Sequence, residues 1–513
     1  MALDPTPRLI NPLALPDYPL ARYRVGDSGA YPYGWLQGVR RDFREAADPT
    51  VLYEPDAADG AGRYILYSSA GMAWTSTDRG ATWARHFVEP NDIGYAPTIV
   101  KHAVRGETNY LLTACHASIW IADDPLGPFT ELGPIRRADG EPLEPAEDFF
   151  DPMLFSDVDA DGRPRLYVYW GLAGDGIKGV ELDPDDPTRA VTDRAVMFAY
   201  DPGHEWERFG EFNEDPSKSY VEGPWMLRET VSGKPRYFLT YTAPGTEFAT
   251  YGMGAYVADA PLGPFAYQAH NPICQSRSGL IRGAGHGCIV AGHPRENDPR
   301  DGNHLWCFFT CGAQVTHNFE RRVGMAPAFL DGDGNLRVDP VDELPLDIGT
   351  GRHAEQGGRR LLPVNRAKPV RPSSVSPGRE PIYAVDGDLR TWWQPDRAAE
   401  DPRPSLESDF NARFTVSAVR IAWTEPGLDV HAGAAPAPIP WRLELRDGEE
   451  GQWLTVLTNT GDNAGEHLID ARAFSATPAT HARLSWDAGA APYALGVADL
   501  TLFGVLASWT SFG

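Results

Sequence analysis

Short apolar and aromatic runs recur along the first two thirds of the chain. They are Tyr64-Ile65-Leu66-Tyr67, Tyr110-Leu111-Leu112-Thr113, Leu166-Tyr167-Val168-Tyr169-Trp170, Tyr237-Phe238-Leu239-Thr240-Tyr241 and Leu305-Trp306-Cys307-Phe308-Phe309. Each is β-branched or aromatic and follows Gly, Pro, Asn or Arg turn chemistry, which predicts short strands. No long amphipathic stretch with a 3.6-residue apolar period accompanies them. Counting back about 14–19 residues from each run reaches five start points: Asp48, Ala96, Asp151, Glu222 and His286. A second echo agrees with this spacing, since Asp124-Pro-Leu-Gly-Pro-Phe129 recurs as Ala260-Pro-Leu-Gly-Pro-Phe265. Repeats of this size, each built of several short strands, predict propeller blades, and five starts predict five blades. The innermost strand of a blade lines the central channel, so the five start points are expected to face one another there.

Three of those starts are acidic. Asp48 opens Asp48-Pro49-Thr50-Val51-Leu52-Tyr53, Asp151 opens Asp151-Pro152-Met153-Leu154-Phe155, and Glu222 opens Glu222-Gly223-Pro224-Trp225-Met226. One Asp-Pro alone reads as a turn, because that pair commonly caps turns. Three acids in register at blade spacing predict instead a carboxylate site in the channel.

The pattern changes near residue 360. Residues 361–382 are rich in Pro, Ser and Arg and read as an ordered linker or a wrapping strand. Beyond them, Ala418–Trp423, Trp441–Leu445 and Leu500–Gly504 alternate as half-buried antiparallel strands do. The expected organisation is all-β: a five-bladed propeller over 1–360, the linker, and a β-sandwich over 383–513. A chain of 513 residues is too long for one typical domain, which agrees with two.

Composition narrows the partners. The formal net charge of −25 argues against nucleic acid, anionic membranes and strongly acidic polysaccharides, and leaves a neutral ligand. Abundant aromatics (Trp 15, Tyr 20, Phe 21) suit both β-packing and sugar stacking. Five cysteines without a Cys-x-x-Cys spacing read as reduced, packed thiols. The N-terminal Met-Ala-Leu-Asp-Pro-Thr-Pro lacks a basic n-region and an apolar h-region, so the chain as it stands is expected to be cytoplasmic. The mature form of a secreted protein would look the same. No segment is apolar enough to span a bilayer.

Taken together, Asp48-Pro49, Ala96-Pro97, Asp151-Pro152 with the turn Asp157-Val-Asp-Ala-Asp-Gly162, Glu222-Gly223-Pro224, Gly285-His286-Gly287 and the two Leu-Gly-Pro-Phe segments resemble glycoside hydrolase family 43. The resemblance covers roughly 11–345. The later segment Ala384-Val-Asp-Gly-Asp-Leu-Arg-Thr-Trp392 is similar to the start of discoidin (F5/8 type C) domains, which often bind carbohydrate. For this chain, glycan binding and structural support of the propeller both stay open.

The family resemblance implies an inverting exo-glycosidase that releases terminal furanose or pentose units from a neutral oligosaccharide or polysaccharide. An α-L-arabinofuranosidase comes first, with β-D-xylosidase and β-D-galactofuranosidase as alternatives. It implies that Asp48 is the general base, Glu222 the general acid, and Asp151 the group that raises the acid's pKa and orients it. A non-catalytic carbohydrate-binding protein is the competing class, and a protein-interaction propeller is a third. No cofactor is required on this reading. A structural calcium or sodium ion in the channel is an option, with His286 near it; a histidine satisfied by backbone carbonyls is the other. Arg322 resembles a family arginine near the carboxylates, with a surface salt bridge as its alternative. Trp74, Trp35 and Phe150 are candidate walls of a sugar subsite, with core packing as the alternative for each. Arg40-Arg41-Asp42-Phe43-Arg44-Glu45 is either a donor to sugar hydroxyls or a solvated loop.

Asp157–Gly162 also matches the start of an EF-hand loop. Position twelve would be Val168, and strands flank it, so a hairpin turn is expected there and at Asp331-Gly-Asp-Gly-Asn335.

Overall fold

The computed structural model describes residues 7–16, 18, 44–57, 62–69, 72–89, 94–115, 118–145, 148–313, 317–397, 400–429, 434, 437, 439–460, 468–491 and 493–507. The fold is all-β. The chain divides into two compact units: Pro19–Gly312 with Arg321–Val341, and Met1–Tyr18 with Ala313–Glu320 and Asp342–Gly513.

The first unit holds five antiparallel sheets, each starting with consecutive strands that pair in sequence order. Blade one is Thr50–Glu54, Arg63–Tyr67, Met72–Ser76 and Ala84–Phe87. Blade two is Thr98–Val104, Glu107–Thr113, Ile119–Ala122 and Thr130–Gly133. Blade three is Met153–Val158, Pro164–Trp170, Ile177–Asp183 and Asp186–Ala190, with Ala195–Phe198 added beside its third strand. Blade four is Glu222–Val231, Lys234–Ala243, Gly252–Ala258 and Ala266–Tyr267, with Cys274–Gln275 beside its third strand. Blade five is Gly285–Ala291, Leu305–Gly312, Arg321–Leu330 and Leu336–Val338. The first strands of successive blades touch, and that of blade five touches that of blade one, so the ring closes.

Stacking of blades explains the unbroken apolar runs. In Leu166–Trp170, Tyr167 and Tyr169 pack into a core shared with Met226, Leu239 and Tyr241 of blade four. Leu166, Val168 and Trp170 point the other way, into a core shared with Leu111 and Ile119 of blade two. A strand sandwiched between two blades buries both faces, so the usual polar alternation disappears. The two Leu-Gly-Pro-Phe segments occupy equivalent places, each joining the third and fourth strands of its blade.

The expected hairpins are present. Asp159 Oδ1 accepts from the amides of Asp161 and Arg163, and Asp331 Oδ1 accepts from those of Asp333 and Asn335. Both are Asx-type turns that need no ion.

The second unit is a β-sandwich built on strands of unusual length, Ser405–Thr424 and Ile469–Trp486. The first half of Ser405–Thr424 lies between Val370–Pro372 and Ile469–Trp486, whereas its second half exchanges the former neighbour for Gly496–Leu506. Residues 361–382, expected as linker or wrapping strand, supply two short strands of this sheet: Leu362–Pro363 pairs with Phe503–Gly504, and Val370–Pro372 with Leu406–Ser408. The division between units falls at 341/342, earlier than the sequence boundary near 360. Arg420 supplies the reason. Its side chain is fully buried, pairs with Glu343 and Asp499, and donates to the Asn11 carbonyl. Arg8–Leu9 pairs with Leu346–Asp347. These contacts draw 8–11 and 342–347 to the C-terminal unit.

Candidate active site

Four of the five blade starts share one local geometry. Asp48, Ala96 and Asp151 all have positive φ (51°, 46° and 46°), and in blade four the positive φ passes to Gly223 (58°). Non-glycine residues seldom adopt this conformation, so something must hold it. A side chain from the end of the preceding blade's second strand does so. Thr310 Oγ1 accepts from the Asp48 amide, Ser69 Oγ from the Ala96 amide, Cys115 Sγ from the Asp151 amide, and Thr242 Oγ1 from the His286 amide (2.8, 3.0, 3.1 and 3.1 Å). Gly171 holds the equivalent position in blade three and carries no such side chain; a Cβ there would meet the Gly176 carbonyl at 2.1 Å.

The same clasps reach the carboxylates. Ser69 donates to Asp48 Oδ2 at 2.6 Å, and the Cys115 thiol donates to Asp151 Oδ1 at 3.3 Å. Thr310 donates to the His286 carbonyl at 2.8 Å, fixing the fifth start beside the first. Gly223 is a glycine because the His286 ring lies against it: a Cβ would meet the ring at 2.8 Å.

The His286 Nδ1 sits 3.1 Å from Asp48 Oδ1 and 3.4 Å from Asp151 Oδ2. Burial alone would lower the ring's pKa, yet the charges of Asp48 and Asp151 push it up to about 9. The imidazolium is therefore the favoured form at neutral pH. The ring is held by carboxylates rather than by backbone carbonyls.

Asp48 has a second cation. Arg321 Nη1 and Nη2 each lie 3.1 Å from one of its carboxylate oxygens, and the same guanidinium donates to Glu45 Oε1 through Nε and Nη2 at 3.0 and 2.6 Å. Tyr95 donates its hydroxyl to Glu45 Oε1 and touches Arg321 Nη2. Arg321, not Arg322, is thus the arginine at the carboxylates. Arg322 is buried on the opposite face of Arg321–Leu330, where it donates to the carbonyls of Arg44 and Arg321. Successive strand residues face opposite ways, so one position of register exchanges their roles.

Three carboxyls in one place acquire three proton affinities. Burial would raise the Asp48 pKa, but Arg321 and His286 outweigh it and hold the carboxyl well below its ordinary range. Burial pushes Asp151 up to about 6, with Asp48 adding to the rise and His286 opposing it. Burial pushes Glu222 well above the usual carboxylate range, and the charges of Asp151, Asp48 and Glu247 add to this. Tyr251 donates to Glu222 Oε1 at 3.4 Å. The surroundings thus favour the ionised form of Asp48 and the protonated form of Glu222.

The profile of Glycosyl hydrolases family 43 matches residues 48–336, more than half of the chain. The chain belongs to this family. Its members are glycosyl hydrolases. An arabinoxylan arabinofuranohydrolase of Paenibacillus polymyxa is 26% identical over 215 residues, a stretch that covers 39% of this chain and 30% of that relative's length. Among solved structures, one described as a glycoside hydrolase is 18% identical with a TM-score of 0.46, covering 89% of this chain and 97% of that one. A family 43 arabinoxylan arabinofuranohydrolase from Bacillus subtilis, in complex with cellotetraose, is 15% identical with a TM-score of 0.41, covering 91% of this chain and 96% of that one.

The remaining candidates divide. Phe150 is half-buried and directly precedes Asp151. Trp74 is fully buried in the third strand of blade one. Trp35 and Arg40–Phe43 lie outside the described residues; Arg44 and Glu45 are buried rather than solvated. Sequence reasoning passed over Ser69, Cys115, Thr242, Thr310 and Arg321, and took Glu45 only as part of a charged segment. The first four do carry a signal, a Ser, Thr or Cys near the end of the second strand in four of five blades.

Proposed function

We propose that the enzyme removes terminal α-L-arabinofuranosyl units from a neutral polysaccharide or oligosaccharide, with Asp48 as general base, Glu222 as general acid and Asp151 as the group that keeps Glu222 protonated. The observation that carries the roles is the ordering of proton affinity across the three carboxyls, with Asp48 held low and Glu222 held high. An inverting hydrolase needs a carboxylate to activate water on one face of the sugar and a carboxylic acid to protonate the leaving oxygen on the other. Asp48 is kept ionised by two cations, and its remaining task is to take a proton from water. Glu222 reaches the reaction with its proton in place, because burial and Asp151 disfavour its anion.

The choice of sugar rests on the named activity of the Paenibacillus polymyxa relative. Because that match spans less than a third of the relative, β-D-xylosides and β-D-galactofuranosides belong in the same test. The C-terminal sandwich is proposed as a discoidin-like carbohydrate-binding module that keeps the enzyme on its polymer.

The test is hydrolysis of nitrophenyl α-L-arabinofuranoside, β-D-xyloside and β-D-galactofuranoside, with Asp48→Asn as control. Release of nitrophenol from the arabinofuranoside that vanishes in the variant supports the reading. Release only from one of the other two reassigns the sugar and keeps the roles. Release that persists in Asp48→Asn overturns the base assignment.

A further inference from the structure

The C-terminal sandwich carries a side-chain cluster that sugar hydrolysis does not use. We propose that Asp409, Glu449 and His481 form a binding site for one divalent transition cation of the zinc type. Asp409 and His481 are direct cross-strand partners between Ser405–Thr424 and Ile469–Trp486. His481 is also opposite Arg446 at the end of Trp441–Arg446, and the turn that follows brings in Glu449. Three neighbouring segments thus deliver one ligand each.

The histidine is 4% exposed, and its Nε2 has no hydrogen-bond partner. Its Nδ1 lies 2.7 Å from Thr480 Oγ1. When Nδ1 carries the proton, Nε2 presents a lone pair, the tautomer a metal selects. That nitrogen faces Glu449 Oε1 at 3.4 Å and Asp409 Oδ1 at 3.9 Å, with all three ligand atoms within 4.8 Å of one another. Zinc–ligand bonds of about 2.0–2.2 Å in a tetrahedron put ligand atoms about 3.3–3.6 Å apart, so the cluster needs little closure.

The neighbours support the carboxylates in this pose. Arg446 Nη2 holds Glu449 Oε2 at 3.3 Å and leaves Oε1 turned to the histidine. The Asn411 amide donates to Asp409 Oδ1 at 2.8 Å. One imidazole with two carboxylates is a borderline donor set. It suits zinc, whereas calcium takes an all-oxygen shell and copper(I) prefers sulfur. Glu449 is exposed, so the ion has a path from solvent and a fourth position for water. A bound ion would tie the turn after Arg446 to the sheet.

The full chain, stripped with a chelator and titrated with Zn²⁺ alone by calorimetry, is expected to bind one equivalent and to melt at a higher temperature in excess zinc. His481→Gln and Glu449→Gln are each expected to weaken that uptake by at least about tenfold and to abolish the thermal shift. Should His481→Gln fail to fold, the exposed Glu449→Gln decides alone. No uptake by the parent chain overturns the proposal. Uptake unchanged in the variants also overturns it, because it places the zinc elsewhere among the 13 histidines.

Discussion

His286 Nδ1 lies 3.1 Å from Asp48 Oδ1, and the same nitrogen is 3.4 Å from Asp151 Oδ2, so one imidazolium neutralises two blade starts at once. The three residues come from blades one, three and five. Their meeting requires the closed ring, and the ring in turn buries two carboxylates that need a cation.

Replacing His286 by Gln should therefore cost both stability and catalysis. Removing one partner of a buried ion pair typically costs about 3–5 kcal/mol. The pKa of His286 is raised from 6.5 to about 9 in the folded state, so its stabilisation is complete below pH 6.5 and fades as pH rises through 9. Melting curves of the parent should drop across that window, and those of His286→Gln should not. Equal slopes would contradict the pairing. Without the cation the Asp48 pKa rises, so the acidic limb of kcat/KM should move to higher pH.

Asp151→Asn acts on the acid. The Asp151 charge is the largest contribution after burial to the raised pKa of Glu222. Its removal should bring the alkaline limb of kcat/KM to lower pH and reduce the rate at neutral pH. A limb that stays in place, with activity lost, would assign Asp151 to orientation alone.

Arg321→Gln and Arg322→Gln separate the two faces of one strand. The first should depress kcat/KM strongly, because Asp48 loses a bidentate partner. The second should act on thermal stability, since the Arg322 guanidinium ties down the Arg44 carbonyl. The reverse pattern in activity assays would restore the sequence expectation.

The blades and three acids were legible in the sequence because a repeat imposes position. Asp48, Asp151 and Glu222 recur at one place in the period, and closure of the ring does the rest. His286 was legible on the same ground, as the fifth start. Arg321 was not, because Glu320-Arg321-Arg322 offers two arginines and only the strand's facing chooses between them. The unit boundary escaped because Arg8–Asn11 and Glu343–Asp347 are joined to the sandwich by Arg420, a contact distant in sequence. Cys115 read as an inert buried thiol; its bonds to Asp151 emerge only when blades two and three are side by side.

The most direct test of the account compares Glu222→Gln on two substrates that differ only in the leaving group. General acid catalysis is worth roughly 10²–10⁴-fold where the departing oxygen needs a proton. The variant should lose about that much on an arabinofuranosyl oligosaccharide and keep most of its rate on the nitrophenyl glycoside, with Asp48→Asn inactive on both. Equal losses of Glu222→Gln on the two substrates would contradict the assignment of Glu222 as the acid.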